Sequence, residues 1–187
     1  LGNLKFRKKL KRFLEEIFKS CPMTVSIKTR IGVEDEEEWP QLLEIFEKYP
    51  LEELIIHPRL KTDQYKKNTI HWEAFKKAEE SSRHSLCYNG DIVSKDDYEK
   101  VVQRFPGTEK IMIGRGILKK PWLAEEISNG DKKDSSRYKE ELFEFHEELL
   151  KGYMDYMSGD RNTLYKMKEL WAYLGTSFTN PERYMKN

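Results

Sequence analysis

Four short apolar runs, each ending in a cluster of polar residues, recur along this chain at nearly even spacing. They occupy residues 24–30, 53–59, 85–91 and 110–116, and their aliphatic and β-branched side chains are typical of buried strands. A helix-like stretch follows each of the first three runs, as in parallel βα units. Because the carboxyl ends of parallel strands meet on one face, the four polar endings predict a functional site there.

The composition narrows the class of protein. A length of 187 residues suits one domain, or one domain with an appendage, and the aromatic share of 12% argues against disorder. The net charge of +1 gives no overall attraction to nucleic acid or membrane. Two cysteines, Cys21 and Cys87, fit a reducing compartment and neither a disulfide framework nor a metal cluster. We therefore expect a cytoplasmic protein without a membrane partner or a metal.

The pattern predicts two domains. An amphipathic helix over residues 4–19, basic over residues 5–12, precedes the first strand, and further helices are predicted around residues 72–81 and after Ser94, which with Asp97 resembles a capping box. The segment SNGDKKDSS, residues 128–136, has the composition of a linker, and only helical periodicity follows it. We expect a βα domain over residues 1–127 and a helical domain over residues 137–187.

Four βα units cannot close an eight-stranded barrel, which usually needs about 250 residues. Four strands alone leave two parallel edges open to association. The chain is then a small open sheet, a half-barrel that pairs with a second copy, or the back half of a larger protein. Because it starts at Leu1 within a helix-like stretch, we expect the last of these, with a missing N-terminal half as a partner.

Four sequence blocks, taken together, resemble the second half of the tRNA-dihydrouridine synthase family. The blocks are VSIKTRIG (25–32), LIIHPRLKTDQY (54–65), YNGDI (88–92) and MIGRGILKKPWL (112–123). The resemblance runs from about residue 23 to 127, and the helical tail resembles the RNA-binding domain of that family. It implies half of a (β/α)8 TIM-type barrel, FMN as cofactor, NADPH as electron donor and tRNA as substrate. In the implied reaction NADPH reduces FMN, the flavin passes hydride to C6 of uracil, and a cysteine protonates C5.

The resemblance assigns roles to the first two strand endings. Lys28 is expected to stabilise the negative charge of reduced flavin near N1 and O2, and His57 to lie beside the flavin and the target base. Arg30 is expected to contact substrate or to form a structural ion pair. Arg59 contacts an anion of flavin or RNA, or occupies a surface position; Pro58 stands where the family often has a small residue.

The last two strand endings predict a site for the FMN phosphate. Glycines allow backbone N–H groups to approach an anion closely, and barrel enzymes frequently bind phosphate after their last two strands. Arg115 would hold the phosphate as a charged group, and Asn89 would approach the flavin ring or its ribityl chain. The residues assigned to the cofactor here are Asn89, Gly90, Asp91, Gly114, Arg115 and Gly116.

No catalytic residue is assigned. The cysteine motif of the family lies after an earlier strand; Cys21 precedes the Lys28 strand, and Cys87 lies within a predicted strand as core packing. The tail lysines Lys166 and Lys168, with the basic residues 5–12, are candidates for tRNA phosphates. Two other functions remain open: a phosphate-binding barrel that acts on a small metabolite, and a non-catalytic half-barrel that binds RNA or a partner.

Overall fold

The chain divides into two compact units. The computed structural model describes residues 4–64, 66, 69–130, 135–178 and 180–182. Unit 1 comprises Leu1–Gly90 and Val101–Met112, and unit 2 comprises Asp91–Lys100 and Ile113–Asn187. This division falls earlier than residue 127, because residues 113–127 group with the helices that follow them.

One parallel sheet lies in unit 1. Its strands are β1 (Ser26–Gly32), β2 (Glu53–Leu60), β3 (Ser85–Tyr88) and β4 (Lys110–Ile111), in the order β1-β2-β3-β4. Each neighbouring pair is parallel. The prediction of a parallel α/β fold is therefore confirmed.

The first two strands extend further than the sequence pattern predicts. Arg30 pairs with His57, and the register then shifts before Gly32 pairs with Leu60. An irregularity of this kind inserts an unpaired residue and lets pairing resume beyond it. Lys28 and His57 consequently lie within β1 and β2. The prediction that these two residues stand at the ends of their strands is wrong.

Eight α-helices lie in the part of the chain that the structure describes. They are α1 (Leu4–Ser20), α2 (Trp39–Phe46), α3 (Trp72–Ser81), α4 (Lys95–Arg104), α5 (Arg115–Lys119), α6 (Leu123–Asn129), α7 (Ser135–Tyr156) and α8 (Asp160–Leu174). The helix predicted at residues 72–81 is confirmed, whereas α5 was not predicted. Residues 128–136, predicted as a linker, overlap the end of α6 and the start of α7. Residues 131–134 lie outside the described residues. None of the described helices combines the length and apolar character needed to cross a membrane.

Aromatic side chains fill the core of unit 1. The ring of Phe75 on α3 lies 4.8 Å from that of Phe105 and 5.1 Å from that of Tyr88. Trp39, also buried, donates its indole N–H to the carbonyl oxygen of Ala74 at 2.7 Å. A buried indole needs such a partner, so this bond fixes the start of α2 against α3.

The short helices of unit 2 pack on its long ones. Trp122 stacks on Tyr138 of α7 at 4.6 Å, and the Tyr138 hydroxyl donates to Glu126 at 2.7 Å. Helices α7 and α8 are joined by three residues and contact each other as a helical hairpin. Thr163 near the start of α8 donates to the Tyr153 carbonyl near the end of α7, as expected for antiparallel neighbours.

Candidate functional site

Lys28 is a cation with an exposed side chain within β1. Residues two apart on a strand point to the same face, so Lys28 and Arg30 share a face of the sheet. Burial lowers the pKa of Lys28, and the positive charge of Arg30 lowers it further. An anion beside Lys28 would relieve both effects, so this part of unit 1 is suited to stabilise negative charge.

Arg30 also connects β1 to the end of β2. Its Nη1 donates a hydrogen bond to the Leu60 carbonyl oxygen at 2.7 Å. Because Leu60 is the last residue of β2, this bond holds the two strands together beyond the register shift. Arg30 therefore has a structural role besides its effect on Lys28.

His57 and Arg59 lie on β2 in largely buried positions. His57 is 9% exposed and Arg59 is fully buried, so the alternative that places Arg59 on the surface is wrong. The Arg59 Nη1 donates to the Lys66 carbonyl oxygen and to the Thr69 hydroxyl, both at 2.6 Å. Arg59 therefore anchors the segment that follows β2.

Asn89, directly after β3, connects the middle of β2 to the residue that follows β4. Its backbone N–H donates to the Ile56 carbonyl at 2.9 Å, and its side-chain Nδ2 donates to the Met112 carbonyl at 2.8 Å. These two bonds fix the side-chain amide, whose Oδ1 accepts no hydrogen bond from the described residues. A fixed, available acceptor of this kind suits an N–H group of a ligand.

Gly90 follows Asn89 in a position that excludes a side chain. A Cβ atom built there would lie 2.2 Å from the Tyr88 hydroxyl oxygen, well inside contact distance. Tyr88 is itself buried and packs against Phe75. The glycine is thus required by the packing of Tyr88.

Residues 114–116 begin α5 in unit 2. Nothing lies within 4 Å of a Cβ built at Gly114, whereas one at Gly116 would lie 2.1 Å from the Ile92 carbonyl oxygen. Arg115 donates through Nη2 to Asp91 Oδ1 at 2.7 Å, and both side chains are about one-third exposed. The predicted residues Asp91 and Arg115 are therefore in direct contact, as an ion pair.

Similarity to known proteins assigns the family. Residues 4–187 match the family model described as dihydrouridine synthase (Dus). The chain belongs to the dihydrouridine synthase family. This confirms the resemblance found in the four sequence blocks.

Named members of the dihydrouridine synthase family align with this chain over part of their length. A probable tRNA-dihydrouridine synthase of Rickettsia prowazekii is 29% identical over 63% of this chain and 36% of its own. The tRNA-dihydrouridine(16) synthase of Vibrio vulnificus is 27% identical over 82% and 47%, and probable tRNA-dihydrouridine synthase 2 of Bacillus subtilis is 32% identical over 70% and 40%. The chain spans less than half the length of each.

Neither cysteine of this dihydrouridine synthase family member lies at the end of a strand. Cys21 follows the end of α1, with its Sγ 3.9 Å from the Met23 carbonyl oxygen. Cys87 is buried within β3, where burial, and then the Glu53 carboxylate, raises its thiol pKa. A buried thiol with a raised pKa is a poor proton donor or nucleophile.

Among the described residues, no three His, Cys, Asp or Glu side chains form a group that could bind a metal.

A three-residue cluster that sequence reasoning missed lies beside the segment after β2. The Nδ1 atom of His71 is 2.5 Å from Glu36 Oε1, and its Nε2 atom is 2.8 Å from Asp63 Oδ2. The imidazole donates to both carboxylates only when both nitrogens carry hydrogen. No spacing pattern in the sequence pairs Glu36 with His71, 35 residues away.

We expect Asp63→Asn to lower the free energy of unfolding at neutral pH by about 1–3 kcal/mol. Burial raises the pKa of Asp63, but hydrogen bonds from His71 and from the Leu60 N–H outweigh it, so the pKa lies below its usual value. A lowered pKa contributes stability that is present above about pH 4 and lost as the pH falls through the folded pKa. Urea unfolding should therefore show a difference that shrinks in acid. A difference independent of pH, or one equally large for exposed Asp155→Asn, would contradict this.

The two tail lysines differ in their surroundings. The Lys166 ammonium lies 2.9 Å from Glu169 Oε2, and this hydrogen bond raises its pKa. The Lys168 side chain is exposed and forms no ion pair with a described residue. Of the two, Lys168 has the charge more readily available to a partner.

Proposed function

We propose that this chain is part of an enzyme that reduces uridine in tRNA to 5,6-dihydrouridine, with FMN as cofactor and NADPH as electron donor. The observation that carries the proposal is the family match over residues 4–187. The relatives named above carry the name tRNA-dihydrouridine synthase. The chain spans less than half of each relative. We therefore propose that it supplies the cofactor-binding part of the enzyme.

Residues of unit 2 fit the phosphate of FMN. Gly114 faces open space, with nothing within 4 Å of a Cβ position, so an anion can approach its backbone. Arg115 and Gly116 follow directly. Asp91 engages Nη2 of Arg115 at 2.7 Å, but a guanidinium carries five donors in a planar fork and can hold two anions at different edges. Asp91 thereby orients Arg115 for the phosphate.

Residues of unit 1 fit the flavin ring. Bound FMN would supply the hydride that reduces the C5–C6 bond of uracil, and NADPH would replenish it. Lys28 provides a cation for the negative charge of the reduced ring, and burial and the charge of Arg30 lower its pKa. Asn89 presents a fixed Oδ1 acceptor to a ring N–H. His57 serves the ring or the target base with a hydrogen bond.

The proton for C5 must come from another residue. Cys87 is buried with a raised pKa, and Cys21 follows the end of α1. We therefore propose that the general acid is contributed by residues other than those assigned here.

We propose that the four strands are half of a (β/α)8 barrel. Barrel strands follow one another around the sheet in chain order with helices between them, and β1 to β4 have that order. The other half would come from further residues of the polypeptide or from a second copy. The helical residues 137–187 and the basic residues of α1 would bind tRNA phosphates, with an affinity that falls as salt rises.

Titration of the chain with FMN tests the proposal. We expect a saturable change in the visible flavin spectrum, and an affinity about 10- to 100-fold weaker in Arg115→Ala, because a hydrogen bond to a charged group is lost. Arg161→Ala is the matched control, since Arg161 lies over the Tyr165 ring at 5.6 Å, away from the phosphate residues in sequence. Equal affinities of Arg115→Ala and the parent chain would contradict the phosphate assignment.

The reaction itself is tested with tRNA that lacks dihydrouridine. Supplied with FMN and NADPH, the chain with its missing barrel half should form dihydrouridine, measured by mass spectrometry of the digested tRNA. Dihydrouridine that forms without added or bound flavin would refute the proposed cofactor. Flavin binding without any reduction of tRNA would instead favour a non-catalytic role.

A further inference from the structure

A chain of hydrogen bonds connects the cluster around His71 to Arg30. Oδ2 of Asp63 lies 2.8 Å from Nε2 of His71, and it also accepts the Leu60 backbone N–H at 2.7 Å. The carbonyl oxygen of the same leucine accepts a hydrogen bond from Arg30 Nη1 at 2.7 Å. Both backbone polar groups of Leu60 are therefore bound to charged side chains, and this one residue connects the cluster to Arg30.

The backbone of His71 places its ring for this contact. The His71 N–H donates to the Pro58 carbonyl oxygen at 2.8 Å, and α3 begins at the next residue. The side chains of His71 and Asp63 are 18% and 16% exposed, whereas that of Glu36 is 55% exposed. Because water screens an exposed charge more than a covered one, Asp63 is the partner through which His71 acts on the rest of unit 1.

The two contacts of the His71 ring require its protonated form. Burial raises the pKa of Asp63, but hydrogen bonds from His71 and the Leu60 N–H hold it below the usual value. Asp63 is therefore ionised at neutral pH, and an ionised carboxylate only accepts hydrogen bonds. A neutral imidazole donates through one nitrogen alone. Loss of a proton from His71 thus removes one of the two hydrogen bonds.

Other charged groups on the elements around His71 are engaged with further partners. Among the residues that the structure describes, the carboxylates in contact with the ring are Glu36 and Asp63. The remaining groups are Arg59 on β2, whose charge lowers the pKa of Asp63, Glu38, which accepts the backbone N–H groups of residues 33–35, and Glu73 on α3, which pairs with Arg104 at 2.9 Å.

We propose that His71, while protonated, is a positioning residue for Arg30 and acts on it through Asp63 and Leu60. Arg30 pairs with His57 across the sheet and shares a face of β1 with Lys28, so its guanidinium lies among the residues assigned to the flavin. The role of Arg30 toward a substrate rests on the proposed function. The coupling of His71 to Arg30 does not, and it is measured without flavin or RNA.

Nitrogen NMR of the full chain tests the coupling. The ring nitrogens of His71 report its protonation, and the Nε–H signal of Arg30 reports the surroundings of the guanidinium, between about pH 5 and 8, where histidines usually titrate. We expect the Arg30 signal to shift with the same midpoint as His71. This shift should disappear in His71→Gln, because the neutral amide does not titrate. At the acid end of the range, the Leu60 amide hydrogen should exchange with solvent about tenfold faster in His71→Gln, because its carboxylate acceptor is no longer held.

Two further variants separate the route from its alternatives. Asp63→Asn should abolish the Arg30 shift while His71 still titrates, because the connection runs through Asp63. His146→Gln is the matched control, the same substitution on α7, where Glu147 lies 3.2 Å from the ring, and it should leave the Arg30 shift and the Leu60 exchange unchanged. Circular dichroism confirms that the variants stay folded.

The parent chain alone can already decide against the proposal. An Arg30 signal that does not shift, or one that follows the midpoint of His57 and not that of His71, overturns it. An Arg30 shift that survives in His71→Gln or in Asp63→Asn also overturns it. Failure of the chain to bind FMN, with the coupling intact, would count against the proposed function and leave this inference supported.

Discussion

Replacing Gly116 with alanine is expected to lower the free energy of unfolding of the chain by about 3 kcal/mol. The added Cβ would lie 2.1 Å from the Ile92 carbonyl oxygen and 3.0 Å from side-chain atoms of Ile113 and Leu123. Backbone carbonyl groups cannot swing aside as a flexible side chain does, so the start of α5 or the segment at Ile92 must move. The usual gain of about 0.5–1 kcal/mol for alanine over glycine in a helix is too small to offset this.

Two other glycines supply the controls for Gly116→Ala in urea unfolding. Gly152 lies within α7 with nothing within 4 Å of a Cβ, so Gly152→Ala should stabilise the chain by about 0.5–1 kcal/mol. Gly114 has the same open space, and Gly114→Ala should leave stability nearly unchanged while weakening FMN binding. If Gly116→Ala and the parent chain have the same free energy of unfolding, the segment at Ile92 moves aside without loss of stability.

Sequence reasoning predicted the elements whose signal is local. The apolar spacing of α3 and the start of α4 at Ser94 depend on neighbouring residues, and the structure has both. The ends of β1 and β2 were wrong because pairing resumes after a register shift between Arg30 and Gly32, which only the partner strand determines. Helix α5 was missed because two glycines flanking Arg115 are typical of a turn. In the structure, Gly116 lies within the helix, and its close packing against Ile92 requires glycine there.

The roles given to the candidate site residues rest on residue type and on the family resemblance, and they stay predictions. Gly90 and Gly116 were assigned to phosphate binding, and the structure gives both a packing reason to be glycine as well. The ion pair of Asp91 with Arg115 and the burial of Arg59 were not foreseeable, because each partner lies on another segment. The cluster of Glu36, Asp63 and His71 was missed for the same reason.

Replacing Lys28 with methionine is expected to weaken binding of reduced FMN about 100-fold while changing the affinity for oxidised FMN little. Reduced flavin carries negative charge that the oxidised ring lacks, and methionine keeps an unbranched stem of similar length without the cation. Burial and Arg30 lower the pKa of Lys28. In the parent chain, the preference for reduced FMN should therefore fade as the pH rises toward that lowered pKa, because Lys28 loses its charge.

Anaerobic titrations with oxidised and with chemically reduced FMN measure the two affinities directly and require no turnover. Lys48→Met is the matched control, because the Lys48 ammonium is exposed and pairs with Glu44 at 2.9 Å. The preference for reduced FMN should survive in the control, vanish in Lys28→Met, and decline with pH only where Lys28 is present. If Lys28→Met keeps the full preference, the cation that stabilises the reduced ring is a different one, and Arg30, which shares the face of β1 with Lys28, is the next to replace.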